Sequence, residues 1–314
     1  MSIYQDRLLS KKFGVFNHYL FERRRVSGEA VDPIVEWHEM VKAYDPEKIA
    51  KQVHEIGAGY YFITIMQGTK FMLAPNATYD SIAGTKPGDA CADRDIIAEL
   101  IVALGKYDID LGLYYTGDGP HSDEVVGKNF GYYMPGQKVD MPFVKKWAAV
   151  LEEYAVRYGD GVKYWWIDGC YDHESSGKFG YDQELMRPYY EAIKKGNPNA
   201  LTAFNNGVGP YFYKWFEDEE LTSGEFTDFV HIPDKRFFDG AQAFALIPMG
   251  VDHQPGNEHS RWRNRGVRVP RETIREYVKN VNAAGGTVTV DMYIDSRGNL
   301  DPEQFEAMKG LLND

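Results

Sequence analysis

Short, continuously apolar runs alternate with amphipathic segments along nearly the whole chain, and that alternation leaves few folds open. Phe13 to His18, Tyr60 to Ile65, Leu111 to Tyr115, Val162 to Asp168, Ala200 to Phe204 and Thr287 to Asp291 read as strands, with shorter candidates near Leu221–Phe226 and Ala243–Ile247. Runs apolar on both faces suit buried parallel strands rather than half-exposed ones. Between them lie helical patterns at Pro46–Ile56, Arg94–Tyr107, Pro142–Arg157, Tyr181–Lys195, Pro270–Ala284 and Pro302–Leu312. Strict strand–helix alternation implies parallel strands joined by right-handed crossovers. About eight such units in 314 residues is the size of a (β/α)8 barrel. The competitor, a doubly wound dinucleotide fold, would want a Gly-x-Gly-x-x-Gly turn after the first strand, and none is there. The expected class is α/β, a single barrel domain over residues 1–314. The stretch from Leu73 to Ala92, rich in Pro, Gly, Asp and Asn, reads as a loop over the barrel mouth.

Composition removes several function classes. A formal charge of −12 argues against nucleic acid, whose phosphates need a basic surface. No run approaches 18 apolar residues, so no membrane span is expected. The N-terminus has no apolar h-region. The chain is therefore read as cytoplasmic, or as exported after loss of a leader. Cys91 and Cys170 match no metal or redox spacing. Aromatic residues make up 14% of the chain, an excess that core packing mostly accounts for, although sugars commonly stack on such rings.

In a barrel of this kind, chemistry sits at the C-terminal ends of the strands. Those ends offer His18, Gln67, Tyr115 with Asp118, Asp168, Asn205 with Asn206, Glu225, Met249 and Asp291. Asp168 closes the apolar run Val162–Ile167, and Gly169 after it lets the chain turn and leaves space before the carboxylate. The bland alternative is that Asp168 caps the next helix. An Asp and a Glu facing each other across a pocket are the minimal apparatus of retaining glycoside hydrolysis.

The order of several short segments resembles the catalytic barrel of glycoside hydrolase family 29, the retaining α-L-fucosidases. The segments are Lys12-Phe13-Gly14-Val15-Phe16-Asn17-His18-Tyr19, Glu36-Trp37-His38, Asp45-Pro46-Glu47, Gly57–Thr64, Asp93–Leu100, Leu111–Tyr115, Trp166-Ile167-Asp168-Gly169, Gly285-Gly286 and Pro302-Glu303-Gln304. The resemblance implies an exo-acting retaining glycosidase with Asp168 as nucleophile. It also implies Glu225 as acid/base, with His18, Glu36, Trp37, Gln67, Tyr115, Trp166 and Asn205 around an oligosaccharide or glycoside substrate. Asp228 and Glu174 are second and third candidates for the acid, because the register there is loose. No cofactor or metal is implied, and the oligomeric state is open.

This chain departs from the family pattern. Gln67-Gly68 stands where the family has a His-His pair, Tyr19 replaces a Trp, and the usual C-terminal β-sandwich has no counterpart. Altered hydrogen-bond donors imply an altered sugar. Arg261, Arg263, Arg265, Arg268 and Arg271 form a basic run that suits either a solvated loop or recognition of a carboxylate or sulfate. Two other readings stay open: a metal-dependent barrel hydrolase using Asp252-His253 and Glu258-His259, and a sugar-binding barrel with a decayed site.

Overall fold

A computed structural model describes residues 2–21, 32–133, 137–172 and 179–313. Eight strands form one parallel sheet: β1 (Phe13–Asn17), β2 (Tyr60–Thr64), β3 (Asp110–Thr116), β4 (Val162–Asp168), β5 (Leu201–Phe204), β6 (Gly224–Glu225), β7 (Phe244–Pro248) and β8 (Thr287–Asp291). Their neighbour order is β5-β4-β3-β2-β1-β8-β7-β6, which is the sequence order taken round a circle. The sheet curls into a (β/α)8-type barrel with its seam between β5 and β6. There the Leu221 N–H donates to the Thr202 carbonyl at 3.0 Å, and the Glu220 carboxylate accepts from the Thr202 N–H and hydroxyl.

The helices among the described residues are α1 (Ile3–Ser10), α2 (Pro33–Ala43), α3 (Pro46–Ile56), α4 (Ala77–Ala83), α5 (Ile96–Gly105), α6 (Glu124–Phe130), α7 (Met141–Tyr158), α8 (Gln183–Gly196), α9 (Arg271–Ala283) and α10 (Pro302–Met308). Asp is the repeated N-cap: Asp32, Asp45, Asp95, Asp123, Asp140, Asp182 and Asp301 each accept a first-turn N–H. Each such cap contributes about 1 kcal/mol, so part of the acidic excess serves local structure. Helix α3 shows the full pattern, with Asp45 as cap, Pro46 in its first turn and Gly57 closing it at φ 85°. No helix follows β5 or β6 among the described residues, which leaves long loops on that side of the mouth.

The segment from Leu73 to Ala92 is not a lid. It carries α4 and packs outside the barrel on α7, with the Tyr154 hydroxyl donating to the Ala74 carbonyl at 2.7 Å. Asn76 caps α4 and donates to the Val150 carbonyl at 3.0 Å, so the amide of this Asn-x-Thr triplet is committed to structure. Seven residues are too few for a helical period to show against the turn formers around them.

Inside the barrel a second core forms from Phe16, Tyr60, Phe62, Tyr114, Tyr164, Trp166, Leu201, Ala203, Phe244 and Leu246, closed below by Leu8 of α1. Such large rings fit because facing positions are glycine. A Cβ on Gly112 would lie 2.5 Å from the Phe62 ring, and one on Gly14 would lie 2.1 Å from the Tyr60 ring. Tyr60 cannot swing away, since it is fully buried and its hydroxyl donates to the Val288 carbonyl at 2.7 Å. Gly14→Ala is therefore expected to destabilise the fold by about 1–3 kcal/mol, read as a lowered urea midpoint. An unchanged midpoint would show that the barrel interior has room to spare.

Candidate active site

The period of two along each strand decides which side chains reach the mouth. On β4, Tyr164, Trp166 and Asp168 face inward, while Trp165 packs in the outer core. β3 pairs Tyr114 with Trp166 and Thr116 with Asp168, which turns Tyr114 inward. Tyr115 faces out instead: its ring stacks on Trp147 at 4.8 Å and its hydroxyl donates to the Trp147 carbonyl. Tyr115, expected at the sugar, thus lies outside the cavity, and Tyr114 lines it instead. At other strand ends stand His18, Gln67, Asn205, Glu225 and Asp291. Gly169, at φ 68°, turns the chain directly after Asp168, and a Cβ there would meet Asp118 at 3.4 Å.

Asn205 organises the centre. It is fully buried, and its amide oxygen accepts from the Gly207 N–H at 3.0 Å, which directs the nitrogen into the mouth. That nitrogen lies 2.5 Å from Asp168 Oδ1 and 2.5 Å from Glu225 Oε2, one hydrogen for each carboxyl. The two oxygens are consequently no more than about 5 Å apart, on the short side of the separations that distinguish retaining from inverting carboxyl pairs. The other oxygen of Asp168 accepts from the Tyr114 hydroxyl at 2.5 Å. Gln67 in turn donates to the Tyr114 oxygen at 2.9 Å.

Both acids are harder to ionise than usual. Burial raises Asp168, and the Asp118 charge adds to this, while the hydrogen bonds from Tyr114 and Asn205 oppose it. Burial and the neighbouring Asp168 charge push Glu225 up to about 8, against one opposing bond from Asn205. Asp168 has two strong donors and Glu225 has one. The shared proton therefore favours Glu225, leaving an anionic Asp beside a protonated Glu.

The cavity over this pair holds about 290 Å³ and is lined by His18, Gln67, Tyr114, Trp166, Asp168, Tyr171, Glu225, Leu246, His259, Trp262 and Arg263. Asp291 Oδ1 meets His18 Nδ1 at 2.8 Å, and Oδ2 accepts the Arg263 N–H at 3.0 Å, so one carboxylate ties the wall residues together. Of the sequence candidates, Asp168, Glu225, His18, Gln67, Trp166 and Asn205 converge here. Glu36 and Trp37 do not line this cavity. They lie on α2, where Trp37 is buried against Phe21 and Phe71. Asp228 lies outside the lining, 3.5 Å from His231, and Glu174 falls outside the described residues.

The basic run divides in the same way. Arg261 pairs with Asp252, Arg265 with Asp301, and Arg268 and Arg271 bond backbone carbonyls. Arg263 alone of the five lines the cavity, in a backbone conformation (φ 58°) unusual for a non-glycine residue. Of the residues expected for a metal, Asp252 bonds Arg261, His253 meets the Ser260 carbonyl and Glu258 accepts from Thr227, while His259 lines the cavity. Sequence reasoning missed Tyr114, Tyr171 and Trp262, and offered His259 only to a metal. For Tyr114 the deciding signal is the register of β3 on β4, which the apolar run Leu111–Tyr115 does not carry. Tyr171 and Trp262 come from loops, and His259 from a short 3-10 turn over Glu258–Arg261.

A family model described as alpha-L-fucosidase matches residues 35–311. No curated protein sequence matches the chain. Among solved structures, a family 29 α-L-fucosidase from Bacteroides thetaiotaomicron is similar over 99% of this chain and 73% of its own, at 17% identity and a TM-score of 0.65. Another structure of such an enzyme from that organism, a trapped covalent intermediate, covers 99% and 74% at 18% identity and a TM-score of 0.66. The α-L-fucosidase AlfC from Lactobacillus casei, in complex with its α-L-fucose product, covers 99% and 98% at 17% identity and a TM-score of 0.65. Identities this low carry the fold alone.

Proposed function

Since the chain belongs to the alpha-L-fucosidase family, we propose that it is an exo-acting glycoside hydrolase that removes a terminal α-L-fucoside or closely related sugar with retention of configuration. The observation that supports this reading is the Asn205 amide, which bridges Asp168 and Glu225 with their oxygens no more than about 5 Å apart, nearer than an inverting pair stands. Asp168 attacks the anomeric carbon. The bond to the leaving oxygen breaks as Glu225 gives that oxygen its proton. A glycosyl ester on Asp168 results. Glu225, now a carboxylate, takes a proton from water, and the resulting hydroxide displaces Asp168 from the same carbon. Tyr114 and Asn205 hold the nucleophile ionised and aimed, and stabilise it again as it leaves.

The test is stereochemical. Proton NMR of the first-formed sugar should show the anomer of the substrate. The opposite anomer would overturn the retaining assignment. The sugar itself is read from the wall. His18, Gln67, Tyr114 and Arg263 line the cavity, and at Gln67-Gly68 a carboxamide and a bare backbone stand in place of two imidazoles. An aryl α-L-fucoside is expected to be hydrolysed at least about tenfold less efficiently, by kcat/KM, than a related L-galactosyl, acidic or sulfated aryl glycoside. Equal or better turnover of the fucoside would show that the replaced imidazoles do not set the specificity.

A further inference from the structure

Just beyond β3 stands an acid that the proposed reaction does not use. The Gly117 N–H donates to the Asp168 carbonyl at 2.6 Å, so β3 and β4 stay joined past their ends. Asp118 follows and lies over Gly169, where a Cβ would meet its carboxyl carbon and Oδ1 at 3.4 Å. Asp118 is buried, and its Oδ1 has no hydrogen-bond partner among the described residues. Its Oδ2 meets His121 Nδ1 at 3.0 Å. We infer that Asp118 and His121 are positioning residues for the nucleophile: the Asp118 carboxylate opposes the Asp168 charge from behind, and the His121 imidazolium offsets that opposition. The word nucleophile rests on the glycosidase reading, whereas the coupling of the three groups does not. Neither Asp118 nor His121 lines the cavity over Asp168, so their action runs through Asp168 itself.

The pair is held on both sides. The Trp147 indole N–H donates to the Thr116 carbonyl at 2.6 Å, and the Tyr181 hydroxyl donates to the Gly117 carbonyl at 2.5 Å. Gly119, at φ 56°, then turns the chain over the Phe143 ring. On the far side the Ser122 N–H donates to the Gly68 carbonyl at 2.8 Å, which ties this loop to the one after β2. The His121 ring rests on Gly68, where a Cβ would stand 3.5 Å from its Cε1 and where φ 70° favours glycine. Gln67, next in the chain, donates to Tyr114, and Tyr114 donates to Asp168. The imidazole thus packs behind the same turn whose carboxamide serves the nucleophile.

One buried carboxylate near another disfavours the charge on both. The Asp118 charge adds to burial in making Asp168 harder to ionise. Burial also disfavours a charged imidazole at His121, but the contact with Asp118 and its charge outweigh burial and raise His121. His121 is therefore a cation through the acid range. Tyr132, Cys170, Tyr171, Tyr181 and Tyr189 also lie within reach of the Asp118 charge. Burial first, then neighbouring charge, pushes each of them up, so they stay neutral there. On the same two loops Asp123 and Lys70 face each other at 4.0 Å.

The test is a double-mutant cycle in the full chain, read as the proton affinity of Asp168. Carboxyl-carbon NMR follows Asp168 directly, its signal assigned by its loss in Asp168→Asn. The acid limb of kcat/KM follows it in turnover, on 4-nitrophenyl α-L-galactopyranoside or α-L-fucopyranoside, whichever is the faster. Asp118→Asn should move both midpoints down by about half a pH unit or more, and His121→Gln should move both up by about as much. Loosened packing cannot displace them in opposite directions. In the Asp118→Asn background the His121→Gln shift should shrink to less than about half, because the cation has lost the charge it offsets. Unmoved midpoints, shifts of one sign, or an undiminished His121→Gln shift in the double variant would overturn the proposal. The expected carboxyl shifts in a chain that hydrolyses neither glycoside would keep the pair and count against the hydrolase reading. Turnover with an Asp168 midpoint indifferent to both variants would do the reverse.

Discussion

Replacing Asp168 by Asn is expected to leave the fold intact and to lower turnover by about three to five orders of magnitude. The amide has the shape of the carboxylate: its oxygen accepts from Asn205, and its nitrogen donates to the Tyr114 oxygen, reversing that bond. It cannot form a glycosyl ester that water then releases. The same substitution removes a buried charge from beside Glu225. Because that charge helps raise Glu225, the Glu225 carboxyl should titrate at lower pH in the variant. Two readouts therefore move together, a lost kcat and a carboxyl signal shifted down by NMR. A variant turning over within about tenfold of the native chain would remove Asp168 from the reaction. Lost activity with an unmoved Glu225 signal would mean that the two acids do not share a field, against the geometry around Asn205.

The fold was legible because most buried parallel strands write themselves as apolar runs: six such segments, with two shorter candidates, fell where the barrel has strands. The runs fix position better than facing. Leu111 to Tyr115 is apolar on both sides, so nothing in that segment says whether Tyr114 or Tyr115 turns inward. The answer lies in the pairing of β3 with β4, where Asp168 fixes the parity. Glu225 could be found because it ends a plausible sixth strand in an irregular stretch, although β6 itself is two residues long. Trp262, His259 and Arg263 were not legible as a wall. They reach the mouth from the segment between β7 and α9, through contacts such as Asp291 to the Arg263 N–H that join residues far apart in sequence. Within one basic run, Arg263 lines the cavity while Arg261 and Arg265 pair with acids, and composition cannot separate the three. Glu36 and Trp37 show the opposite failure. A motif carried over by resemblance placed them at the sugar, and here Trp37 packs under Phe21 and Phe71.

Glu225 separates an acid/base from a structural carboxyl more sharply than any other residue in the chain. Glu225→Ala should lose about two to four orders of magnitude on a substrate with a poor leaving group, and far less on an activated aryl glycoside, which departs without a proton. Azide should restore turnover of the aryl glycoside by attacking the ester on Asp168 from the space the side chain vacated, giving a glycosyl azide of retained configuration. In the native enzyme the proton must be on Glu225 and off Asp168. Hence kcat/KM should fall as pH rises through about 8, the value to which Glu225 is pushed. It should fall on the acid side as Asp168 protonates, above the ordinary range for an aspartate. Glu225→Gln should abolish the basic limb on activated substrates. The same raised value also bears on stability. A carboxyl that holds its proton more tightly folded than unfolded favours the fold at low pH, and that advantage is lost as pH climbs from the unfolded value towards the folded one. Glu225→Gln, which keeps an acceptor for Asn205 but carries no charge, should match the native chain near pH 4 and exceed its stability by about 1–3 kcal/mol at pH 8. A variant that lost activity without azide rescue, and lost stability at every pH, would make Glu225 a structural residue. The search for the acid would then pass to Asp228 and Glu174.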